Sequence, residues 1–339
     1  MLDPNALAKQ LQTEVPFVAE PWAAVARALG AAEPDVLAQL EEWTRAEQLR
    51  EVSAVLEGAR LGYDSALVAG RVPAERVDEV ARIVAEHPTV THDYLRDHDY
   101  NLWFTIATAP GTSLERTLAA LERLTGVERF WPLRRTHTFK IGVRFDLDTL
   151  ENATAAPATG AGGASEIEPA RDDAARAMLR ALQRPLPFTR RPFAELAASA
   201  GVDEDRLLAF AEGERGRAIR RYVATFRHRK LGVRGNGMVV WSVPEARLEE
   251  VGARLAAAPE VSHCYARTPI EGFPYALYSM VHAKDAASVD AIVSRLAEEV
   301  GVHDRRVLHS TREYKKVRLR YFLDEERAWW ARHCSGGPS

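Results

Sequence analysis

The chain repeats itself. Pro16, Phe17, Pro21 and Trp22 return as Pro187, Phe188, Pro192 and Phe193, each pair 171 positions apart. His92, Tyr94 and Arg96 return as His263, Tyr265 and Arg267 at the same offset. Between these blocks Leu61-Gly62 answers to Leu231-Gly232 at an offset of 170. Farther on, Tyr100 answers to Tyr275, and Phe139-Lys140 to Tyr314-Lys315, at 175. A nearly fixed offset held across whole halves marks a duplication, so the fold of one half constrains the other. The step from 171 to 175 makes the loop after the second His/Tyr/Arg cluster about four residues longer than its counterpart.

Each half changes period once. Residues 21–29 and 34–48 read as helices, with Val36, Leu37, Leu40 and Trp43 on one stripe. The turn at 30–33 between them makes a helix-turn-helix, and short strand signals follow at 52–56 and 65–72. From residue 65 the order becomes βαββαβ, the ferredoxin-like split βαβ: helices at 73–86 and 114–125, strands at 90–95, 102–108, 128–132 and 136–145. The second half repeats it, with strands at 238–243, 261–268, 275–282, 305–310 and 314–322 and helices at 245–257 and 286–300. The stretch 149–170, rich in Ala, Gly, Thr and Pro, has no apolar period and reads as a flexible linker. The expected class is α+β, a tandem duplication of a winged helix-turn-helix followed by a ferredoxin-like domain. The boundaries fall at 1–62 and 63–148, then a linker at 149–172, then 173–234 and 235–326, with a C-terminal tail at 327–339 that either packs or frays.

Charge and cysteine usage narrow the function. The net charge is −3, which offers nucleic acid no general attraction. The helix at 33–47 carries Glu33, Asp35, Glu41, Glu42 and Glu47 against Arg45. Its copy at 202–214 carries Asp203, Glu204, Asp205, Glu212 and Glu214, with a basic run at 215–221 beyond it. A recognition helix of that balance repels phosphates, so DNA is not an expected partner. Cys264 and Cys334 make no disulfide framework, the first residues show no signal pattern, and no apolar run is long enough to span a bilayer. A cytoplasmic protein without a membrane partner is expected.

A winged helix-turn-helix followed by βαββαβ resembles the Lrp/AsnC group of regulators. Three stretches are more specific: THDYLRDHDYNLWFTI at 91–106, SHCYARTPIEGFPYALYSMVH at 262–282, and STREYKKVRLRYF at 310–322. These resemble the siroheme decarboxylases, here with both subunits fused in one chain. The resemblance implies loss of the carboxyl groups of two acetate side chains of siroheme, giving didecarboxysiroheme for heme or d-type heme biosynthesis. It implies no added cofactor, because the iron belongs to the substrate.

The residues can be weighed against that chemistry. A flat macrocycle bearing many carboxylates needs apolar walls, cations, and a proton donor where carbon dioxide leaves. Residues at i, i+2 and i+4 of a strand share a face, so His92, Tyr94 and Arg96 project together, as do His263, Tyr265 and Arg267. His92 and His263 are the candidate general acids. A structural histidine at a strand end, or an axial contact to the substrate iron, fits the spacing equally. Arg96 and Arg267 suit bidentate carboxylate recognition or a solvated surface, and Tyr94 and Tyr265 could donate hydrogen bonds to a carboxylate. Tyr100, Trp103, Tyr275 and Tyr278 are either walls or core.

Lys140 and Lys315, cations on apolar strand faces, and Arg312, which heads the strand that carries Lys315, are candidate substrate-binding residues. On that strand Lys316, Arg318 and Arg320 form a basic face of the kind that is usually solvated; Arg134, Arg135 and His137 are its weaker counterpart. Lys230 and Arg234 could reach a propionate or solvate a turn. The halves differ, Asn101 standing against Ala276 and Trp103 against Tyr278, which favours one principal site built from both halves of an internal pseudo-dimer. A homodimer of the chain is a further possibility. A tetrapyrrole-binding sensor without catalysis would use nearly the same residues.

Overall fold

In the computed structural model the described residues are 2–141, 144–145, 152–153, 171–227 and 235–334. Most of the expected linker, and both Lys230 and Arg234, lie outside them.

The first half opens with α1 (Pro4–Thr13), α2 (Pro21–Ala28), α3 (Glu33–Arg45) and β1 (Leu49–Leu56). Then come β2 (Asp64–Gly70), α4 (Val77–Ala85), β3 (His92–Arg96), β4 (Leu102–Thr108), α5 (Leu114–Thr125) and β5 (Phe130–Ile141). A two-residue pair, β6 (Arg144–Phe145) and β7 (Asn152–Ala153), stands apart from the main sheets. The second half repeats the order: α6 (Asp173–Leu182), α7 (Pro192–Ser199), α8 (Glu204–Gly213) and β8 (Ile219–Phe226) come first. β9 (Gly235–Trp241), α9 (Leu248–Ala257), β10 (Val261–Arg267), β11 (Leu277–Ala283), α10 (Ala286–Val300) and β12 (Arg305–Lys316) follow, and α11 (Asp324–His333) is added at the end.

The helix-turn-helix units do not carry a private wing. β1 pairs antiparallel with β8, Val52 opposite Ala224, so each half supplies one strand of a shared ribbon. A lone strand would leave its backbone donors and acceptors open, and the duplicated copy is a ready partner. Around this ribbon both sets of helices share one core, where Phe17 lies edge-on to Tyr222 at 5.1 Å and to Phe193 at 5.9 Å. Pro at the first turn starts both α2 and α7, where its missing N–H costs no hydrogen bond.

The ferredoxin-like units fuse in the same way. Their sheets, β3-β4-β2-β5 and β10-β11-β9-β12, join edge to edge into one closed eight-stranded barrel. β5 pairs with β2 along its first half (Gly70 opposite Phe130) and with β10 along its second (Cys264 opposite Lys140). β12 likewise leaves β9 and continues along β3. This corrects the reading of 128–132 and 136–145, and of 305–310 and 314–322, as four short strands. Each pair is one strand of 12 residues. Its polar middle, Arg134-Arg135-Thr136 or Ser310-Thr311-Arg312, is no turn but the point where the strand passes between sheets, with register shifts between Ser310 and Arg312 and at Arg267.

Helices cover the barrel outside. α4 and α5 pack on the first sheet over Val68, Leu102 and Phe104, while α9 and α10 pack on the second over Val239, Val261 and Val281. The segment expected as a tail forms α11 and docks on the first unit. Tyr63 Oη donates to Glu326 Oε2 (3.1 Å), Ala109 N donates to Oε1 (2.9 Å), and the Trp329 ring stands 4.2 Å from His87. Among the described residues no helix is long and apolar enough to cross a membrane.

Candidate active site

All eight barrel strands contribute to a cavity of about 470 Å³. Its lining follows from strand alternation: what does not face the helices faces inward. β3 presents His92, Tyr94 and Arg96, and β10 presents His263, Tyr265 and Arg267. β4 adds Trp103 and Thr105; β11 adds Tyr278, Met280 and His282; Arg135 and Lys316 come from the two long strands. The two repeats of the His/Tyr/Arg cluster therefore line one space.

The clusters are held alike. His92 Nδ1 lies 3.0 Å from Thr91 Oγ1, and His263 Nδ1 lies 2.9 Å from Ser262 Oγ. The small hydroxyl residue before each histidine thus engages Nδ1 and fixes the ring. Each guanidinium reaches across to the other half's long strand: Arg96 Nη1 donates to Leu308 O (2.6 Å) and Arg267 Nη1 to Leu133 O (2.9 Å). Arg96 lies 5.4 Å from the Tyr94 ring, and Arg267 lies 5.4 Å from the Tyr265 ring and 5.6 Å from that of Tyr278. In both arginines Nε is buried without a hydrogen bond, as is Tyr278 Oη, so the cavity wall holds polar capacity that the protein itself does not satisfy.

The lining is all of one sign. Arg96, Arg135, Arg267 and Lys316 stand with three histidines, and no Asp or Glu is among the lining residues described. In a chain of net charge −3, a cavity without carboxylates is built for an anion. Burial, with help from Lys316 and Arg50, lowers the His92 pKa to about 4, and burial and Lys316 lower His282 to about 4. Burial lowers the Arg96 guanidinium to about 10 and pushes the Tyr265 phenol up to about 12. Each shift penalises the charged form of a group withdrawn from water.

Several expected residues lie elsewhere. Tyr100 and Tyr275 plug the closed end of the barrel around Phe273, whose ring stands 5.8 Å from Tyr100 and 4.8 Å from Tyr275. Tyr100 Oη donates to Glu271 O (2.6 Å) within that plug, so the longer second loop provides the barrel's stopper. Trp103 serves both plug and cavity. Lys140 and Lys315 point outward to the helix layer. Lys315 Nζ donates to Ala85 O (2.5 Å) and His87 O (3.1 Å) at the end of α4, and Lys140 Nζ donates to Ala258 O (2.9 Å) at the end of α9. A cation there meets carbonyls that the helix leaves open. Arg312 is exposed and bound to Asp78 (2.5 Å). The structure brings none of these five to the cavity.

Conversely, the cavity is also lined by His282, Arg135 and Lys316, which the sequence pattern does not mark as site candidates. The signal for His282 was its place two and four residues beyond Met280 and Tyr278 on one strand face. Alternation puts Lys316 with Arg318 on a basic face of the kind that is usually solvated. Arg318 instead ties the barrel to the shared ribbon, donating to Glu51 Oε1 (2.8 Å) and Ala54 O (2.7 Å).

One buried carboxyl has a measurable consequence. Asp93, opposite Lys315, is fully buried and neither carboxylate oxygen has a hydrogen-bond partner. Burial, opposed by Lys315, raises its pKa to about 8. A folded carboxyl raised in this way contributes stability that is full below pH about 4 and is lost as pH rises through about 8. Asp93→Asn removes that loss, so its stability relative to the parent is expected to grow by roughly 1 kcal/mol per pH unit between pH about 5 and 8. Urea unfolding of both chains across that range checks it; a difference that does not change with pH overturns it.

A model described as the AsnC-like ligand binding domain matches residues 60–140 and 230–315, and one described as the siroheme decarboxylase NirDL-like HTH domain matches 175–220. The chain is similar to the siroheme decarboxylase of Hydrogenobacter thermophilus, 35% identical over 329 residues, covering 96% of this chain and 97% of that protein. The siroheme decarboxylase NirDL subunit of Paracoccus denitrificans is 34% identical over 317 residues, with 90% and 93% covered. A crystal structure of the siroheme decarboxylase NirDL in complex with an iron-uroporphyrin III analogue superposes with a TM-score of 0.79 at 30% identity, covering 98% of both chains.

Proposed function

The chain belongs to the siroheme decarboxylase family, and we propose that it removes two acetate carboxyl groups of siroheme within the cavity that both of its halves line. The observation that carries this placement is the lining itself: two His/Tyr/Arg clusters, two further cations, aromatic walls and no carboxylate among the described lining residues. Such a surface suits a flat polyanion. The macrocycle lies against Trp103, Tyr278 and Met280, with its retained carboxylates on Arg96, Arg135 and Arg267.

At a reacting acetate the bond between the methylene and the carboxylate carbon breaks. Carbon dioxide leaves, the electron pair passes to the methylene and spreads into the conjugated ring, and the methylene takes a proton to become a methyl group. His92 and His263 supply that proton as imidazolium ions and are recharged from water. Tyr94 and Tyr265, beside them, orient the acetate by hydrogen bonding. Because one chain supplies both walls, we read a single chain as the catalytic unit. The helix-turn-helix units, whose α3 and α8 begin with acidic turns, act as the scaffold that holds the halves together rather than as DNA readers.

Anaerobic incubation of the purified chain with siroheme, followed by mass spectrometry, is expected to show loss of one and then two carbon dioxide units. Siroheme that binds, as seen by absorbance, but keeps its mass would favour a tetrapyrrole sensor. A salt-sensitive gel shift with DNA that depends on the basic run after α8 would restore the regulator reading.

A further inference from the structure

The shared ribbon carries, at each end, an arginine that its pairing leaves out. In β1 the register steps from Leu49 opposite Phe226 to Glu51 opposite Thr225, so Arg50 is the extra residue of a bulge. In β8 it steps from Arg221 opposite Val55 to Ile219 opposite Leu56, so Arg220 is the extra residue of a second bulge. The two arginines are 170 positions apart, the offset of Leu61-Gly62 and Leu231-Gly232, and so occupy the same place in the two halves. A bulge re-aims the side chain of its extra residue and is frequent beside functional sites.

The ribbon lies at the unplugged end of the barrel. Tyr100 and Phe273 plug it from the loops that follow Arg96 and Arg267, so His92, at the other end of β3, faces away from the plug. There the chain leaves β12 for the ribbon: Lys316 is opposite His92, Val317 N donates to Thr91 O (2.8 Å), and Arg318 donates to Glu51 and Ala54 of β1. Leu319 both lines the cavity and packs on the ribbon's core. Glu51, next to Arg50, is already met by Arg318 (2.8 Å) and Arg320 (3.8 Å). Burial is the larger influence on His92 and Tyr265; of the charges that also act on them, Arg50 reaches the first and Arg220 the second, one on each cluster.

Resting on the decarboxylase reading, we infer that Arg50 and Arg220 are substrate-binding residues, which take from the ribbon the carboxylates that the macrocycle projects out of the cavity mouth. Among the described lining residues the cations are Arg96, Arg135, Arg267 and Lys316, fewer than the carboxylates that siroheme carries. Those left over lie where the mouth meets the ribbon, and a guanidinium there pairs with them bidentately. Cations at a rim also draw an anionic ligand in and speed its capture. The acidic first turns of α3 and α8 set a phosphate backbone at a disadvantage on this layer, which favours the carboxylates of a small ligand. The helix-turn-helix units thereby serve the site besides holding the halves together.

Stopped-flow absorbance follows siroheme association across a salt series for the parent, Arg50→Gln, the pair Arg50→Gln/Arg220→Gln, and the pair Arg50→Lys/Arg220→Lys. A control, Arg27→Gln/Arg206→Gln, removes the same charge from exposed sites on α2 and α8. The glutamine pair is expected to associate about tenfold more slowly than the parent at low salt and to show a flatter salt dependence. Arg50→Gln alone is expected to show part of that loss, the lysine pair to recover most of the rate, and the control to keep it. Arg50 is exposed and Arg220 half-buried, so all variants are expected to unfold in urea as the parent does. Glutamine variants that associate as fast as the parent, or a control as slow as the glutamine pair, overturn the inference and leave the decarboxylase reading intact. So does a DNA gel shift that the parent gives and the glutamine pair loses while siroheme association is unmoved, which assigns the arginines to phosphates. A parent that binds siroheme without consuming it overturns the decarboxylase reading first, and this one with it.

Discussion

Replacing His92 or His263 by alanine is expected to lower siroheme turnover by about 10²–10⁴-fold while changing siroheme affinity far less, because a positioned acid acts on the transition state and adds little to ground-state binding. Both rings are turned by the same device, Nδ1 against the hydroxyl of Thr91 or Ser262. His92 engages Thr91 and, at 3.5 Å, Thr105 through Nδ1, and Nε2 has no partner among the described residues. Burial and the charges of Lys316 and Arg50 hold His92 at a pKa of about 4, so it is neutral at pH 7. A bound polycarboxylate reverses that balance, since negative charge nearby favours the imidazolium. Siroheme binding should therefore take up protons, and affinity should strengthen as pH falls from 7 toward about 4 in the parent and less so in His92→Ala. Rapid-quench turnover and absorbance titrations across that range measure both. Variants with full turnover would remove the histidines from the proton-transfer role; affinity that is flat with pH would remove the link to substrate charge.

The sequence carried the architecture of each half well. The duplication offset located equivalent strands, α10 runs over 286–300 as its periodicity indicates, and the HxYxR spacing placed three side chains on one face in each copy. What it did not carry was how the halves meet. Strand pairing between β12 and β3, or β5 and β10, is a long-range choice that leaves no local period. The polar crossover at Ser310-Thr311-Arg312 therefore read as a break, and Lys315 as a cation facing the site.

Alternation alone assigns a side chain to one of two faces. Which face is the lumen becomes known only when the barrel closes. That closure sends Lys140 and Lys315 to the helix ends, Tyr100 and Tyr275 to the plug, and Lys316 to the cavity. The docking of α11 was illegible for a related reason. Trp329 and Glu326 are buried by contacts with residues more than 200 positions away, such as Tyr63 and Ala109, although its acidic first turn and last-turn Arg332 are ordinary helix signals.

The arginine pair gives the other large effect, and it separates into two parts. Arg96 and Arg267 each donate to a carbonyl of the opposite half, Leu308 O and Leu133 O, and each keeps a buried Nε without a partner. The first contact belongs to the fold: it pins β3 to β12 and β10 to β5, where the barrel is closed. The second is reserve capacity, because guanidinium carries five donors in a planar fork and Nε meets no acceptor of the protein. Burial already lowers the proton affinity of both groups, a cost that a carboxylate in the cavity would offset. Arg96→Ala or Arg267→Ala is therefore expected to weaken siroheme binding by about 10–10³-fold, the range for losing one partner of a buried charged contact, and to lower stability by about 1–3 kcal/mol through the orphaned carbonyl. Arg→Lys at either position keeps the charge and can still reach the carbonyl, but it loses the planar fork. It should recover most of the stability and only part of the affinity. Absorbance titration and urea unfolding on the same four variants distinguish the parts: affinity that recovers fully with lysine would mean that only charge is read, and affinity unmoved by alanine would confine these arginines to closing the barrel.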